Sequence, residues 1–211
     1  MMLGGLSSVH TTRLRLTGSS ESELLDMAQK IEDATLLLAD ACVDLILFHC
    51  TAVSTHSAEL EQEILGRIRK VTSIPVTATS TALVESLRKV KARRIVMLSP
   101  YVEKINSAEA SYLRGAGFEP LLVAGMSISE AKDMSAVLPN KWIDFVLNNI
   151  HPEADAYLIS CTTVRASEIA AELEKTLKRP VITSNTAAVW HCMRVMGLNN
   201  RISGFGQLFL T

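Results

Sequence analysis

Two cysteines are the residues of this chain best placed to do chemistry. Cys50 follows the run Val43-Asp44-Leu45-Ile46-Leu47-Phe48-His49 and is followed by Thr51-Ala52. Cys161 follows Ala154-Asp155-Ala156-Tyr157-Leu158-Ile159-Ser160 and is followed by Thr162-Thr163. An apolar run that stops at a thiol and a hydroxyl reads as a buried strand with the thiol just past its C-terminal end. That is where open α/β sheets place ligands. Two thiols on opposite sides of a carbon next to a carboxylate can act as base, or nucleophile, and acid. This chemistry needs thiolate character, since a free thiol has a pKa of about 8.5. A helix beginning just after each strand would favour a thiolate, and equally a bound carboxylate. Thr51, Thr162 and Thr163 add hydroxyl donors at the same place, so an anionic substrate suits the site without a metal or organic cofactor.

A plainer reading stands beside this one. A strand-end cysteine is more often a small buried hydrophobe than a nucleophile, and it is the repetition of the pattern that favours chemistry. Cys42 and Cys192 read as core. His49 with Cys50 and His56 matches no zinc spacing, and no CxxC pair exists. No metal site is expected.

The elements that must position the cysteines alternate between strand and helix. His10–Leu16 reads as a strand and Thr17–Ser20 as a turn, with Ser20 and Glu23 forming a capping box for a helix over Glu21–Cys42. Strands are expected at Val43–Phe48, Ile74–Ala78, Arg93–Leu98, Phe118–Ala124, Ala156–Ser160 and Pro180–Thr183. Helices are expected at Ala58–Thr72, capped by Ser57 or Thr55, and at Ala82–Val90, Val102–Ala116, Lys141–Ile150, Arg165–Leu177 and Thr186–Met196. Gly117 closes the third of these. The stretch Gly125–Asn140 has no clear period, and the apolar end of the tail is expected to dock on the sheet.

This order argues for an α/β fold of parallel sheets with helices on both faces. It also contains an internal echo: helix, apolar strand, Cys-Thr, helix, X-Pro-Val strand and hydroxyl-rich turn describe both Glu21–Val90 and Lys141–Met196. Two pseudo-symmetric lobes are therefore expected, one from residues 1–92 plus 181–211 and one from 93–180. The active site would lie in the cleft between them.

Composition narrows the function. The chain has 211 residues, and 48% hydrophobic with 20% charged residues suits a globular core of this size. A formal net charge of −1 leaves no footprint for nucleic acid or an acidic membrane surface. No apolar run approaches the roughly 20 residues of a membrane span. No signal peptide is visible, so the four cysteines are expected as reduced thiols in a cytoplasmic protein.

Cys50-Thr51-Ala52, Cys161-Thr162-Thr163, the strand end Ser99-Pro100-Tyr101 and the segment Thr183–Trp190 together resemble the aspartate/glutamate racemase superfamily. They are most similar to its maleate isomerase and arylmalonate decarboxylase branch. The resemblance runs from about Val9 to Leu198. It implies two α/β lobes around a cofactor-independent site for a small carboxylic or dicarboxylic acid. By that resemblance Cys50 and Cys161 are catalytic. Tyr101 helps hold a substrate carboxylate. Thr51, Ala52, Ser80, Thr81, Thr162 and Thr163 lie where carboxylate oxygens bind. Decarboxylases of this branch carry glycine at the first cysteine, so two thiols favour an isomerase or racemase of the maleate cis–trans type. An arylmalonate-type decarboxylase, or an impaired acid-binding protein, is the alternative. Family members usually begin one strand–helix–loop unit ahead of the position of His10, a unit this chain is expected to lack. A homo-oligomer is compatible with the sequence.

Overall fold

The strands of the core are built from residues that bury both of their faces. The structure, a computed structural model, describes residues 2–3, 5–16 and 21–211. In β3 (Arg94–Ser99) and β5 (Ala156–Ile159), Val96, Leu98, Tyr157 and Ile159 enter one apolar cluster. The alternate residues Ile95, Met97, Ala156 and Leu158 enter a second cluster on the opposite face. Period-two alternation explains the split, and burial on both faces is what a parallel sheet covered by helices requires.

Two parallel sheets result. One pairs β1 (Ile46–Phe48) with β2 (Val76–Ala78). The other has the order β4-β3-β5-β6, with β4 at Glu119–Gly125 and β6 at Val181–Thr183. The helices are α1 (Glu21–Ala28), α2 (Ile31–Asp40), α3 (Thr51–Ser54), α4 (Ala58–Val71), α5 (Thr79–Lys89), α6 (Glu103–Gly115), α7 (Ala131–Ala136), α8 (Pro139–Leu147), α9 (Ala170–Leu177) and α10 (Ser184–Val195). Among the described residues, no helix is long and apolar enough to cross a membrane.

Several expectations are corrected. Among the described residues, His10–Leu16 makes no sheet pairing; Leu14 and Leu16 pack against the core from an extended segment. The single helix expected over Glu21–Cys42 is two, separated by a turn at Gln29-Lys30. The turn lets Met27 and Ala28, then Ile31 and Ala34, all reach the core. Cys42 is exposed, in a left-handed conformation (φ 52°), rather than core. Residues 181–183, expected with the first lobe, form β6 of the larger sheet, while α10 beyond them packs on α5. The helix expected over Arg165–Leu177 starts with a separate 3₁₀ turn at Ala166–Glu168. The turn Thr17–Ser20 and the Ser20 cap lie outside the described residues. Ser57 does cap α4, accepting the Leu60 N–H at 3.1 Å. The tail docks as expected, with Leu208 and Phe209 buried.

One loop matters for the site. Ser99 accepts the Tyr101 N–H at 3.0 Å and donates to Asn106, whose amide donates to the Tyr101 carbonyl at 3.2 Å. The irregular segment after β4 backs this loop, with the Ser127 and Ile128 N–H groups donating to the Tyr101 and Pro100 carbonyls. Gly125 lies where this packing leaves no room. A Cβ there would collide with the Asn106 amide and the Tyr101 carbonyl. Gly125→Ala is therefore expected to destabilise the fold by roughly 1–3 kcal/mol or more. Urea unfolding would measure it, and an unchanged midpoint would refute the packing described.

Candidate active site

Both cysteines owe their placement to what the chain does on leaving a buried strand. After β1 the backbone is still extended at Cys50 (φ −149°, ψ 108°), then turns into the short helix α3. The turn aims the Ala52 and Val53 N–H groups at the Cys50 sulfur. Thr51, fully buried, donates its hydroxyl to Ser184 Oγ at 2.8 Å. His49 is clasped at both nitrogens, by Thr79 Oγ1 and Asn185 Oδ1, each at 3.0 Å. The Asn185 amide donates to the Val164 carbonyl, which orients its oxygen toward His49. The consistent tautomer has the proton on Nε2 and the Thr79 hydroxyl donating to Nδ1. Burial lowers the His49 pKa, in keeping with a neutral ring.

The second cysteine sits in a tighter turn. Past β5 the Ser160 N–H donates to the Leu98 carbonyl at 2.7 Å, and Cys161 then takes φ 107°. That is a conformation suited to glycine, costing a cysteine on the order of 1–3 kcal/mol. Two contacts hold it: the Cys161 N–H donates to Ser184 Oγ at 3.0 Å, and the Thr163 N–H donates to the sulfur at 3.4 Å. The Thr163 and Tyr101 hydroxyls also hydrogen-bond to Cys161. Ser184 thus receives one donor from each strand end. This joins the C-terminal ends of β1 and β5 at the start of the helix after β6.

The electrostatics depart from expectation. A helix start after each strand was expected to lower the thiol pKa values. Burial instead pushes Cys50 up to about 11, against smaller opposing effects of the Val53 and Ala52 N–H groups. Burial raises Cys161 as well, against the Tyr101 and Thr163 hydrogen bonds. Negative charge on Cys161 makes Cys50 harder to ionise, which puts the two sulfurs in one electrostatic environment. Burial holds Tyr101 well above the usual phenol range. Behind Cys161, Ser160 Oγ donates to the buried Glu109 carboxyl at 2.7 Å, and burial lifts that acid to about 7.

Cys50, Thr51, Ala52, Tyr101, Cys161 and Thr163 therefore come together, and Thr162 lies half-buried between Cys161 and Thr163. Ser80 and Thr81 do not join them. Both hydroxyls donate to Oε1 of Glu61, at 2.6 and 2.8 Å, and Tyr112 donates to its other oxygen at 2.8 Å. Glu61 is buried in α4 and takes these donors because an unpaired buried carboxylate is expensive. Sequence reasoning missed Ser184, Asn185, Thr79 and Glu109 as site residues. The internal echo held a signal for two of them, since Ser184-Asn185 follows the second X-Pro-Val strand as Thr79-Ser80 follows the first. Among the described residues, no three His, Cys, Asp or Glu side chains gather as a metal site.

The chain is similar to known proteins of one family and fold. A family model described as arylmalonate decarboxylase matches residues 4–209. Maleate isomerase of Geobacillus stearothermophilus is 21% identical over 206 residues, covering 94% of this chain and 82% of that protein. Arylmalonate decarboxylase of Bordetella bronchiseptica is 27% identical over 145 residues, covering 67% of this chain and 60% of that protein. Among solved structures, a mutant maleate cis–trans isomerase of Nocardia farcinica with a covalently bound succinylcysteine intermediate superposes with a TM-score of 0.89. It is 22% identical, with 96% of this chain and 85% of that one covered.

Two outcomes follow from the geometry. Ser184→Ala strands the buried Cys161 N–H and is expected to cost about 1–3 kcal/mol in urea unfolding. An effect below a few tenths would show that the bridge carries no stability. With iodoacetamide, exposed Cys42 should react first and Cys161, 3% exposed, last. The Cys50 rate should climb about tenfold per pH unit between pH 7 and 10, because the thiolate is the reactive form and its pKa lies above that range. A plateau near pH 8, read by peptide mass spectrometry, would contradict the raised pKa.

Proposed function

The chain belongs to the arylmalonate decarboxylase family, and on that premise we propose that it isomerises a small unsaturated dicarboxylic acid of the maleate type. The observation that carries this reading is a thiol at each of two strand ends, one partly and one fully buried, with the strand ends tied together by one serine hydroxyl. A decarboxylase needs one proton donor. A cis–trans isomerase needs a nucleophile and a donor, and this chain has a thiol at both positions.

In the reacting state one thiol proton has been released to solvent, so the pair holds one proton between two sulfurs. Cys50, as thiolate, adds to one alkene carbon and forms a C–S bond. The π pair moves to the neighbouring carbon, next to the other carboxylate, and takes the proton from the Cys161 thiol. The former double bond is now single and rotates. The Cys161 thiolate then removes a proton from the same carbon, the C–S bond breaks, and the trans alkene forms with Cys50 again a thiolate. The product is the geometric isomer and both thiols return to their starting states.

The surroundings suit each step. The Ala52 and Val53 N–H groups stabilise negative charge on Cys50. The Tyr101 and Thr163 hydroxyls do the same for Cys161 in the middle of the cycle. Thr162 and Thr163, on the exposed side of the turn, are assigned to the substrate carboxylates. The Ser80 and Thr81 hydroxyls stay with Glu61. The similar Nocardia farcinica isomerase mutant carries a covalently bound succinylcysteine intermediate, which supports the covalent route.

Conversion of maleate to fumarate, followed by proton NMR, tests the reading. Wild-type protein should turn over, and Cys50→Ala and Cys161→Ala should each lose about 10²-fold or more while remaining folded by circular dichroism. Retained isomerisation in Cys50→Ala would overturn the covalent route. Release of CO₂ from phenylmalonate with no action on maleate would assign the chain to decarboxylation instead.

A further inference from the structure

The two thiols occupy similar turns, but what lies behind them differs. Behind Cys50 is His49, a ring held between Thr79 and Asn185. Behind Cys161 is Ser160, fully buried, whose hydroxyl is given to Glu109 on α6. Glu109 is itself completely buried. Its Oε2 receives the Ser160 hydroxyl, and among the described residues its Oε1 has no hydrogen-bond partner. A buried carboxylate with one donor and no cation is poorly stabilised, so a proton on this group is the cheaper state at low pH. Burial accordingly lifts its pKa to about 7, with the Ser160 bond pulling the other way. The titratable groups that face it are Cys161 and Tyr101, and its charge makes both harder to ionise. Glu109 adjoins the Cys161 turn by its bond to Ser160, whereas the residue before Cys50 is bonded to Thr79 and Asn185.

We propose that Glu109 is a positioning residue that, by its charge behind the Ser160-Cys161 turn, makes Cys161 rather than Cys50 the thiol that keeps its proton. Above neutral pH the carboxylate stands one side chain behind the Cys161 turn and opposes a second negative charge there. The proton shared by the two sulfurs then resides on Cys161, and Cys50 is the one free to attack. The pair of similar lobes thereby acquires a direction. The inference rests on the maleate-type reading for its consequence in turnover, though not for its effect on the thiols.

The test compares wild type, Glu109→Gln and Ser160→Ala by iodoacetamide labelling from pH 6 to 9, with each cysteine peptide quantified by mass spectrometry. Near pH 6, where Glu109 is protonated, wild type and Glu109→Gln should label Cys161 at equal rates. At pH 8.5 the Gln variant should label Cys161 about threefold faster or more, the response to half a pK unit or more of relief. Cys50 should change by less than twofold. A purely structural role would alter the ratio equally at every pH. A ratio flat across pH, or an equal gain at Cys50, overturns the proposal. Ser160→Ala removes the donor that favours the carboxylate, so protection of Cys161 should set in at higher pH than in wild type. An unmoved onset overturns the proposal even if the Gln variant fails to fold. Labelling needs no turnover. Inactivity toward maleate with the expected labelling would therefore fell the substrate reading and leave this one standing, and the reverse result would do the opposite.

Discussion

The Ser184 hydroxyl is the contact on which the site depends. It accepts the Thr51 hydroxyl from the end of one sheet and the Cys161 N–H from the end of the other. Both donors are buried, and in a low-dielectric interior such bonds are strong when made and costly when lost. Much of the surrounding architecture serves to keep this oxygen in place. β6 delivers Ser184 beside β5, and a capping box between Thr183 and Thr186 fixes the first turn of α10. α10 packs on α5, which begins where β2 ends, so the second sheet's position is set by the same helix pair. Glu61 adds a further tie, joining α4, the start of α5 and, through Tyr112, α6.

Placing two thiols in such a dry setting has an electrostatic price. Burial disfavours both thiolates more than the nearby donors favour them. The donors nevertheless point at the sulfurs and at the turn after Cys161, where a substrate carboxylate or a developing thiolate would sit. Fixed donors that need no reorganisation stabilise charge as it appears rather than in the resting state. Burial thus favours protonated sulfurs, and the polar groups around them are arranged for the more negative state in which one sulfur has lost its proton.

Much of this was legible in the sequence because burial writes itself into strands. β3 and β5 are covered on both faces, so they appear as unbroken apolar runs, and the Cys-Thr endings mark the C-terminal ends of β1 and β5. Where one side of a segment is wet the signal weakens. Leu14 and Leu16 alternate like a strand, yet an extended segment lying on the core gives the same pattern without a ladder. Ser80 and Thr81 have the right chemistry for a carboxylate ligand. The carboxylate they meet is Glu61 of their own chain, and a partner 19 or 20 residues away on another helix leaves no local trace. The thiol pKa values were misjudged for a related reason. A helix start can be read from the order of residues, but the depth of burial that outweighs it belongs to the assembled fold.

Pseudo-symmetry accounts for why two thiols meet, but not for why they should behave differently. Symmetric surroundings would give both sulfurs the same proton affinity and no preferred order of attack and protonation. On the proposed reading, the departures from symmetry supply that order. Cys50 leaves its strand in ordinary extended geometry and heads a short helix with two N–H groups on its sulfur. Cys161 is bent into a left-handed conformation and backed by Ser160 and a buried acid. The residue preceding each cysteine, His49 in one lobe and Ser160 in the other, therefore matters as much as the cysteine itself. On the proposed reading, it is divergence one residue before each thiol that divides the labour between them.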